Sequence, residues 1–392
     1  MADGDLPSGD NPFAGMPMFG EFARMLAGQG PLNWDAAKQF AAVAATGGAS
    51  EANVDPSARI AMAELARILE MHVHHLTGLD TVFPEVTPVT PGVWAQRTLE
   101  AYRPLFTELA TSLGRRPETA VDLPDGTDPM MAMMANLSQM MAPSMMGMAV
   151  GSMVGRMAAR TFGQYDLPIP RGDNALLVVP ANIDAFATDW SLPADEMRLW
   201  VLAQELTGHT LFSLPSLRAQ YAAMVRSYVG GFRPDPSAVA ERMMGLELDD
   251  ATDPMRAVQQ LLGDPAVLLG AVQSAEQEAL APQLDAATAA VVGSIDYLVD
   301  SVAVRVIGGD ALRIAEAVRR RRVESSPDDV FVHRLLGLRL TNEQVQRGKE
   351  FAGGVADRVG EAGLIALLGR DAALPTPAEL AAPGLWIARL EL

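Results

Sequence analysis

The chain contains no cysteine among its 392 residues. That absence excludes disulfides and thiolate metal sites, and it is compatible with a reducing compartment. Positive charge is also scarce: 30 Lys and Arg stand against 48 Asp and Glu, a net charge of −18. A surface of that sign keeps a protein soluble and repels nucleic acid and anionic lipid, so neither nucleic acid nor membrane is expected as a partner. The first ten residues lack the basic start and the apolar run of a secretory signal. A cytoplasmic protein is the expectation. No phosphate loop, dinucleotide fingerprint or serine elbow occurs.

What the chain does have is apolar side chains, 49% of the total against 20% charged. That balance belongs to a folded protein, and the length allows one large core or two modest ones. Residues 1–50 are rich in Gly, Ala, Pro and Met and predict a partly ordered segment, with one short helix near 20–29. A single domain is expected over 51–392, with a sub-division near 231–256. Leu65, Ile68, Leu69, His72 and Leu76 recur at spacings of three and four, which predicts a helix over 56–76. A proline-rich, extended stretch follows, then a helix over 92–113. Segment 128–164 holds eleven of the 22 methionines, with Gly147, Gly151 and Gly155 four residues apart. Such a face serves a membrane helix that pairs through its glycines, or a buried helix that another approaches closely. Pro143, Gln139, Ser144, Arg156 and Arg160 leave the clean apolar run too short to span a bilayer, which favours the buried helix.

Ala175, Leu176, Leu177, Val178 and Val179 read as a short buried strand ended by Pro180. Ser191 and Pro193 open a helix that runs to about Phe212 and is apolar nearly all round, as a central helix is. Further helices are predicted over 217–229, 256–279, 283–306, 310–321, 328–337, 341–358 and 362–369, with 374–392 extended over the surface. The fold class is therefore mainly α with a small β element.

The central helix carries the candidate chemistry. A His-Glu-x-x-His turn grips zinc because residues i and i+4 share a helix face, and its glutamate takes a proton from the metal-bound water. Here the corresponding turn reads Gln204-Glu205-Leu206-Thr207-Gly208. The glutamate is kept. Glutamine is a poor zinc ligand and glycine offers no side chain. His209 lies roughly 140° around the helix from Gln204, but it shares a face with Glu205. That pair fits a plain hydrogen bond, a weak metal site or an acid–base pair. His72, His74 and His75 form the one histidine cluster, of which His72 and His75 share a face. The run Arg319-Arg320-Arg321-Arg322 is expected to pair with the chain's own carboxylates.

The wider context resembles a known family. Gly163-Gln164-Tyr165-Asp166-Leu167-Pro168, Leu176-Leu177-Val178-Val179-Pro180-Ala181-Asn182-Ile183 and Arg198-Leu199-Trp200-Val201-Leu202-Ala203-Gln204-Glu205 are similar, in that order, to the zincin-like metallopeptidases found mainly in actinobacteria. So are Arg334-Leu335-Leu336-Gly337-Leu338, Gly348, Phe351 and Trp386-Ile387-Ala388-Arg389. Some relatives are described as hydrolases or as associated with coenzyme F420 biosynthesis. The resemblance implies a zincin-like helical fold and a third ligand, a glutamate in a Leu-Glu-Gly-like turn. Val291-Val292-Gly293 stands there, so Val292 occupies the third position. Gln204, Gly208 and Val292 would then be degenerate ligand positions and Glu205 a vestigial general base.

Three readings follow. In the first, the chain has lost zinc and hydrolysis and acts as a regulatory pseudoenzyme, binding a peptide or protein along the strand at 175–179, with no metal or cofactor. In the second it is a zinc-dependent hydrolase with unusual ligands, drawn from Glu205, His209 and either Asp296 or Asp300. In the third it is a scaffold that forms a homo-oligomer through an exposed Met/Gly helix.

Overall fold

The computed structural model describes residues 30–114, 129–172, 175–234, 271–272, 274–323 and 327–391. In chain order the elements are α1 (Trp34–Thr46), α2 (Pro56–Thr77), β1 (Glu85–Pro88), α3 (Pro91–Ala101), α4 (Arg103–Leu113), α5 (Pro129–Ala158) and β2 (Ala175–Val178). Then come α6 (Pro180–Asp189), α7 (Ala194–Ser213), α8 (Pro215–Gly230), β3 (Arg233–Pro234), β4 (Ala271–Val272) and α9 (Ala275–Val306). A 3-10 turn (Gly308–Asp310) leads into α10 (Ala311–Val323), α11 (Pro327–Leu336), α12 (Asn342–Leu368), α13 (Pro377–Ala381) and α14 (Pro383–Glu391). The fold is mainly helical, as expected. β1 and β2 pair in parallel, with Val86 opposite Leu176 and Pro88 opposite Val178. β3 and β4 form a two-residue antiparallel pair.

The glycine seam of α5 has a partner within the chain. A Cβ on Gly147, Gly151 or Gly155 would lie 2.3, 2.2 or 2.4 Å from the carbonyl oxygens of Asn33, Ala37 and Ala41. The three glycines are buried, and α1 rests on them backbone to backbone. Asn33 caps α1 by accepting from the Ala36 N–H, and it ties the helix to α5 by donating its own N–H to the Pro143 carbonyl. Residues 34–46, taken as part of a partly ordered segment, are thus an ordered helix built into the body. The face that the scaffold reading requires to be exposed is covered. The predicted short helix near 20–29, the 231–256 loop beyond residue 234 and the start of the 256–279 helix lie outside the described residues.

Proline accounts for most other differences from the sequence expectation. The helix expected over 92–113 divides at Tyr102, because Pro104 cannot donate the next helical hydrogen bond. Pro180 follows the end of β2, as expected, and it also opens α6, since its fixed φ suits a first helical turn. Pro282 lies within the first turns of α9, which runs through it from a Ser274–Gln277 capping box. The C-terminal stretch is not extended: Pro377 and Pro383 open α13 and α14, and Trp386 is fully buried with its Nε1 donating to the Ala373 carbonyl. The break expected between 358 and 362 is present at Gly360, whose φ of 75° ends one helical segment and starts the next.

α7 and α9 form the centre. α9 is long and apolar enough to cross a membrane by length and composition, yet 72% of its most apolar window is buried inside the protein. It packs along α12 at a crossing made by two glycines. A Cβ on Gly293 would lie 2.1 Å from the Gly348 carbonyl carbon, and one on Gly348 would lie 1.7 Å from the Ala289 oxygen. Side chains at either position would hold the helices apart, so this pair fixes the depth at which Val292 faces α7.

Gly151→Ala tests the first seam. The added methyl meets α1 backbone, and a loss of about 1–3 kcal/mol is expected in urea unfolding. Gly309→Ala, where a Cβ meets nothing within 4 Å, is expected to change stability little.

Candidate functional site

The motif turn sits in the middle of α7, where Glu205 and Thr207 are fully buried and Gln204 nearly so. Glu205 turns toward a loop that precedes it by about forty residues. Its Oε2 accepts from the Gln164 N–H at 2.8 Å, and both oxygens accept from the Tyr165 N–H at 3.1 Å. The carboxyl lies against the Gly163 backbone, where a Cβ would come within 2.3 Å of Glu205 Cδ. The loop is fixed from the other side as well: Trp94 Nε1 donates to the Gly163 carbonyl, and Thr161 Oγ1 lies 2.9 Å from the same oxygen. Burial, and next the Asp166 charge, push the Glu205 carboxyl well above the usual carboxylate range, against the pull of the two amide donors.

The two histidine positions of the motif are filled in different ways. Gln204 donates from Nε2 to Asp166 Oδ1 at 3.2 Å. The other Asp166 oxygen accepts from the Phe162 N–H at 2.6 Å and from Thr161 Oγ1 at 2.9 Å, with an Arg321 nitrogen 3.6 Å away. The Arg321 guanidinium lies over the Phe162 ring, 3.8 Å from its centre. At Gly208 the space is taken by Tyr165: a Cβ there would sit 2.9 Å from the Tyr165 ring. That ring stacks on Phe212, and its hydroxyl meets His209 Nδ1 at 3.3 Å. Burial pulls His209 below the ordinary imidazole range and keeps the Tyr165 hydroxyl protonated. Glu205 and His209 therefore serve different neighbours, and their predicted pairing along the helix face does not form.

Val292, with Gln204, Tyr165, Asp166 and Asp296, lines one cavity of about 440 Å³, and Gly208 does not contribute to it. A valine has no lone pair to offer a metal. Asp296, one turn further along α9, also faces the cavity and is nearly buried. Asp300 does not reach it and is held by Arg319 at 2.7 Å and by Lys349. Among the described residues no three of His, Cys, Asp or Glu stand close enough to hold a metal ion. The set of Glu205, His209 and an acid from 296–300 does not assemble, because two of its members are already committed elsewhere. The donors present do not fit zinc.

The strand proposed to receive a peptide is not accessible. Leu176, Leu177, Val178 and Val179 are fully buried, and Ala175 is partly so. One edge of β2 is taken by β1, with the Val89 N–H donating to the Val178 carbonyl. The other is taken by residues 162–164: the Val179 N–H donates to Phe162, and Leu177 meets Gln164 Oε1. Its run of apolar residues signalled burial, and burial on both faces comes here with occupied edges. His74 donates from Nδ1 to the Leu79 carbonyl at the end of α2. Arg319, Arg320 and Arg321 pair with Asp300, Glu316 and Asp166, as expected of the basic run. Tyr165, Asp166 and Arg321 are site residues that sequence reasoning gave no role. The signal for the first two was their place in a conspicuous Gly-Gln-Tyr-Asp run.

A helical body, a short parallel strand pair and a central helix with a glutamate-bearing motif turn define the zincin-like class. The sequence profile of the zincin-like metallopeptidases matches residues 32–387. The chain belongs to that family. No curated protein matches it. Its structure is similar to that of a hydrolase candidate with a novel fold from Chloroflexus aurantiacus, at a TM-score of 0.57 and 20% identity, over 92% of this chain and 99% of that one. At that identity the likeness concerns the fold.

Glu205→Ala strands two buried amide donors, and a loss of about 2–5 kcal/mol in urea unfolding is expected. The raised carboxyl also carries a pH signature. A folded-state value above the unfolded one stabilises the protein fully below the ordinary range, and that contribution is lost as pH rises through the folded value. The stability advantage of wild type over Glu205→Gln is therefore expected to shrink as pH climbs above 4.5. Unfolding midpoints of both proteins across the pH range provide the measurement.

Proposed function

We propose that this chain is a zincin-like family member that has given up zinc and hydrolysis, and that it acts by binding a peptide or protein partner as a regulatory pseudoenzyme. The observation that carries the proposal is the Tyr165 ring lying on Gly208. The place from which a second histidine would project is filled with aromatic carbon, Gln204 is hydrogen-bonded to Asp166, and Val292 has no donor. Glu205 has both oxygens on backbone amides, so it holds a loop where a general base would hold a water. Since β2 is buried, binding is assigned to the cavity between α7, α9 and α12 instead of a strand edge. The absence of cysteine supports a cytoplasmic setting. An actinobacterial lineage and a link to coenzyme F420 rest on resemblance alone and form no part of the proposal.

Elemental analysis of untagged protein, loaded with zinc and then dialysed, is expected to find less than about a tenth of an equivalent, with no shift in Tm on adding zinc. Near one equivalent together with a clear rise in Tm would overturn the proposal. Peptide hydrolysis that Glu205→Gln abolishes while the protein remains folded would do the same.

A further inference from the structure

We infer that the cavity beside Gln204 and Val292 is a binding site for a carboxylate attached to an apolar group, with Arg339 and Arg347 receiving the carboxylate. This inference rests on the reading that zinc does not occupy the cavity.

The first support is charge. Acids exceed bases by 18 in the chain as a whole, yet the lining reverses the balance. Arg160, Arg321, Arg339 and Arg347 contribute to it, against Asp166, Asp296 and Glu343. Asp166 and Arg321 are paired with each other, and with both set aside three arginines still stand against two acids. An inverted local balance in an acidic protein attracts an anion to this place and away from the remaining surface.

The second is the arrangement of the cations. Arg339 stands 3.7 Å from Asp285, a loose ion pair, with 47% of its side chain exposed. Arg347 and His333 also line the cavity, and the Arg347 charge, like that of Arg339, favours the ionised Asp285 carboxyl. Burial, and then Arg339, hold His333 below the ordinary imidazole range, against the opposing pull of Asp285. A guanidinium offers five N–H donors in a planar fork matched to a carboxylate, and a single contact at 3.7 Å leaves most of those on Arg339 for a ligand.

The third is shape. Val292, Ile295, Val318, Leu338 and Leu340 give the cavity an apolar wall, and its volume of about 440 Å³ falls among small-ligand sites. A bare inorganic anion would leave that wall unused. A carboxylate carrying a branched aliphatic or similar group satisfies both parts. Two sources present this chemistry: a free organic acid and the C-terminus of a peptide.

The test is calorimetric titration of the full-length protein with three probes. They are N-acetyl-leucine, the acid N-acetyl-Ala-Ala-Ala-Leu and the C-terminal amide of that peptide. At least one acid is expected to bind, with the amide weaker by about tenfold or more. Arg339→Ala and Arg347→Ala are each expected to weaken the acid by a similar factor, with unfolding midpoints near that of wild type. Whichever acid binds more tightly identifies the source. The inference is overturned if neither acid binds below about 10 mM, if acid and amide bind alike, or if both arginine variants bind the acid as wild type does. Repeating the titration with EDTA separates the two claims. Binding that disappears with EDTA sinks the zinc-free reading, whereas arginine-dependent binding that persists supports both.

Discussion

The contact between the Glu205 carboxylate and the Gln164 and Tyr165 amides organises everything around it. It pins a loop to the middle of α7, a helix buried along most of its length. Once the loop is pinned, the Tyr165 ring has one place to go, the gap above Gly208, and Asp166 is carried to the position from which it takes Gln204 and Arg321. A buried carboxyl group is tolerated only when its oxygens are satisfied, and here the loop satisfies them. In this chain Glu205 brackets the loop, and a general base at this position would have to give up those contacts. The two roles compete for the same oxygens, so a Glu205 held by two amides is a poor candidate to hold a nucleophilic water.

The helix frame explains why a cavity remains although the donors are gone. Gly293 and Gly348 let α9 and α12 touch backbone to backbone, which sets Val292 at a fixed distance from α7. The lining of that cavity combines Val292, Tyr165 and the hydrogen-bonded Gln204 with Arg160, Arg321, Arg339, Arg347 and His333, alongside Asp166, Asp296 and Glu343. That mixture of apolar wall and guanidinium groups is the physical basis for treating it as a candidate binding site.

Much of this was legible in the sequence. Three-and-four spacing located α2, start signals and an all-round apolar run located α7, and the separate helices expected over 341–358 and 362–369 meet at the Gly360 break. The repeat of Gly147, Gly151 and Gly155 announced a close helix contact, though not that α1 would supply it through Asn33, Ala37 and Ala41, because a glycine seam does not name its partner. Prolines misled at the C-terminus, where Pro377 and Pro383 suggested an extended stretch but are first-turn residues that start helices. At the site, spacing along one helix identified Gln204, Glu205 and Gly208, and resemblance brought in Val292. The neighbours of Glu205 were not legible. They lie about forty residues earlier in a loop with no period, and only the fold brings them to the carboxylate. The same limit applies to β2, whose composition gave burial correctly but could not show that both its edges would be filled.

The central claim is that loop and ring occupy the space a metal would need. A crystal structure from zinc-soaked protein, with diffraction recorded on both sides of the zinc absorption edge, tests it most directly. The account predicts no anomalous peak in the cavity, the Tyr165 ring against Gly208, and Glu205 bonded to the Gln164 and Tyr165 amides. A zinc peak within coordination distance of Gln204, Glu205 or Asp296, with Tyr165 displaced from Gly208, would contradict it.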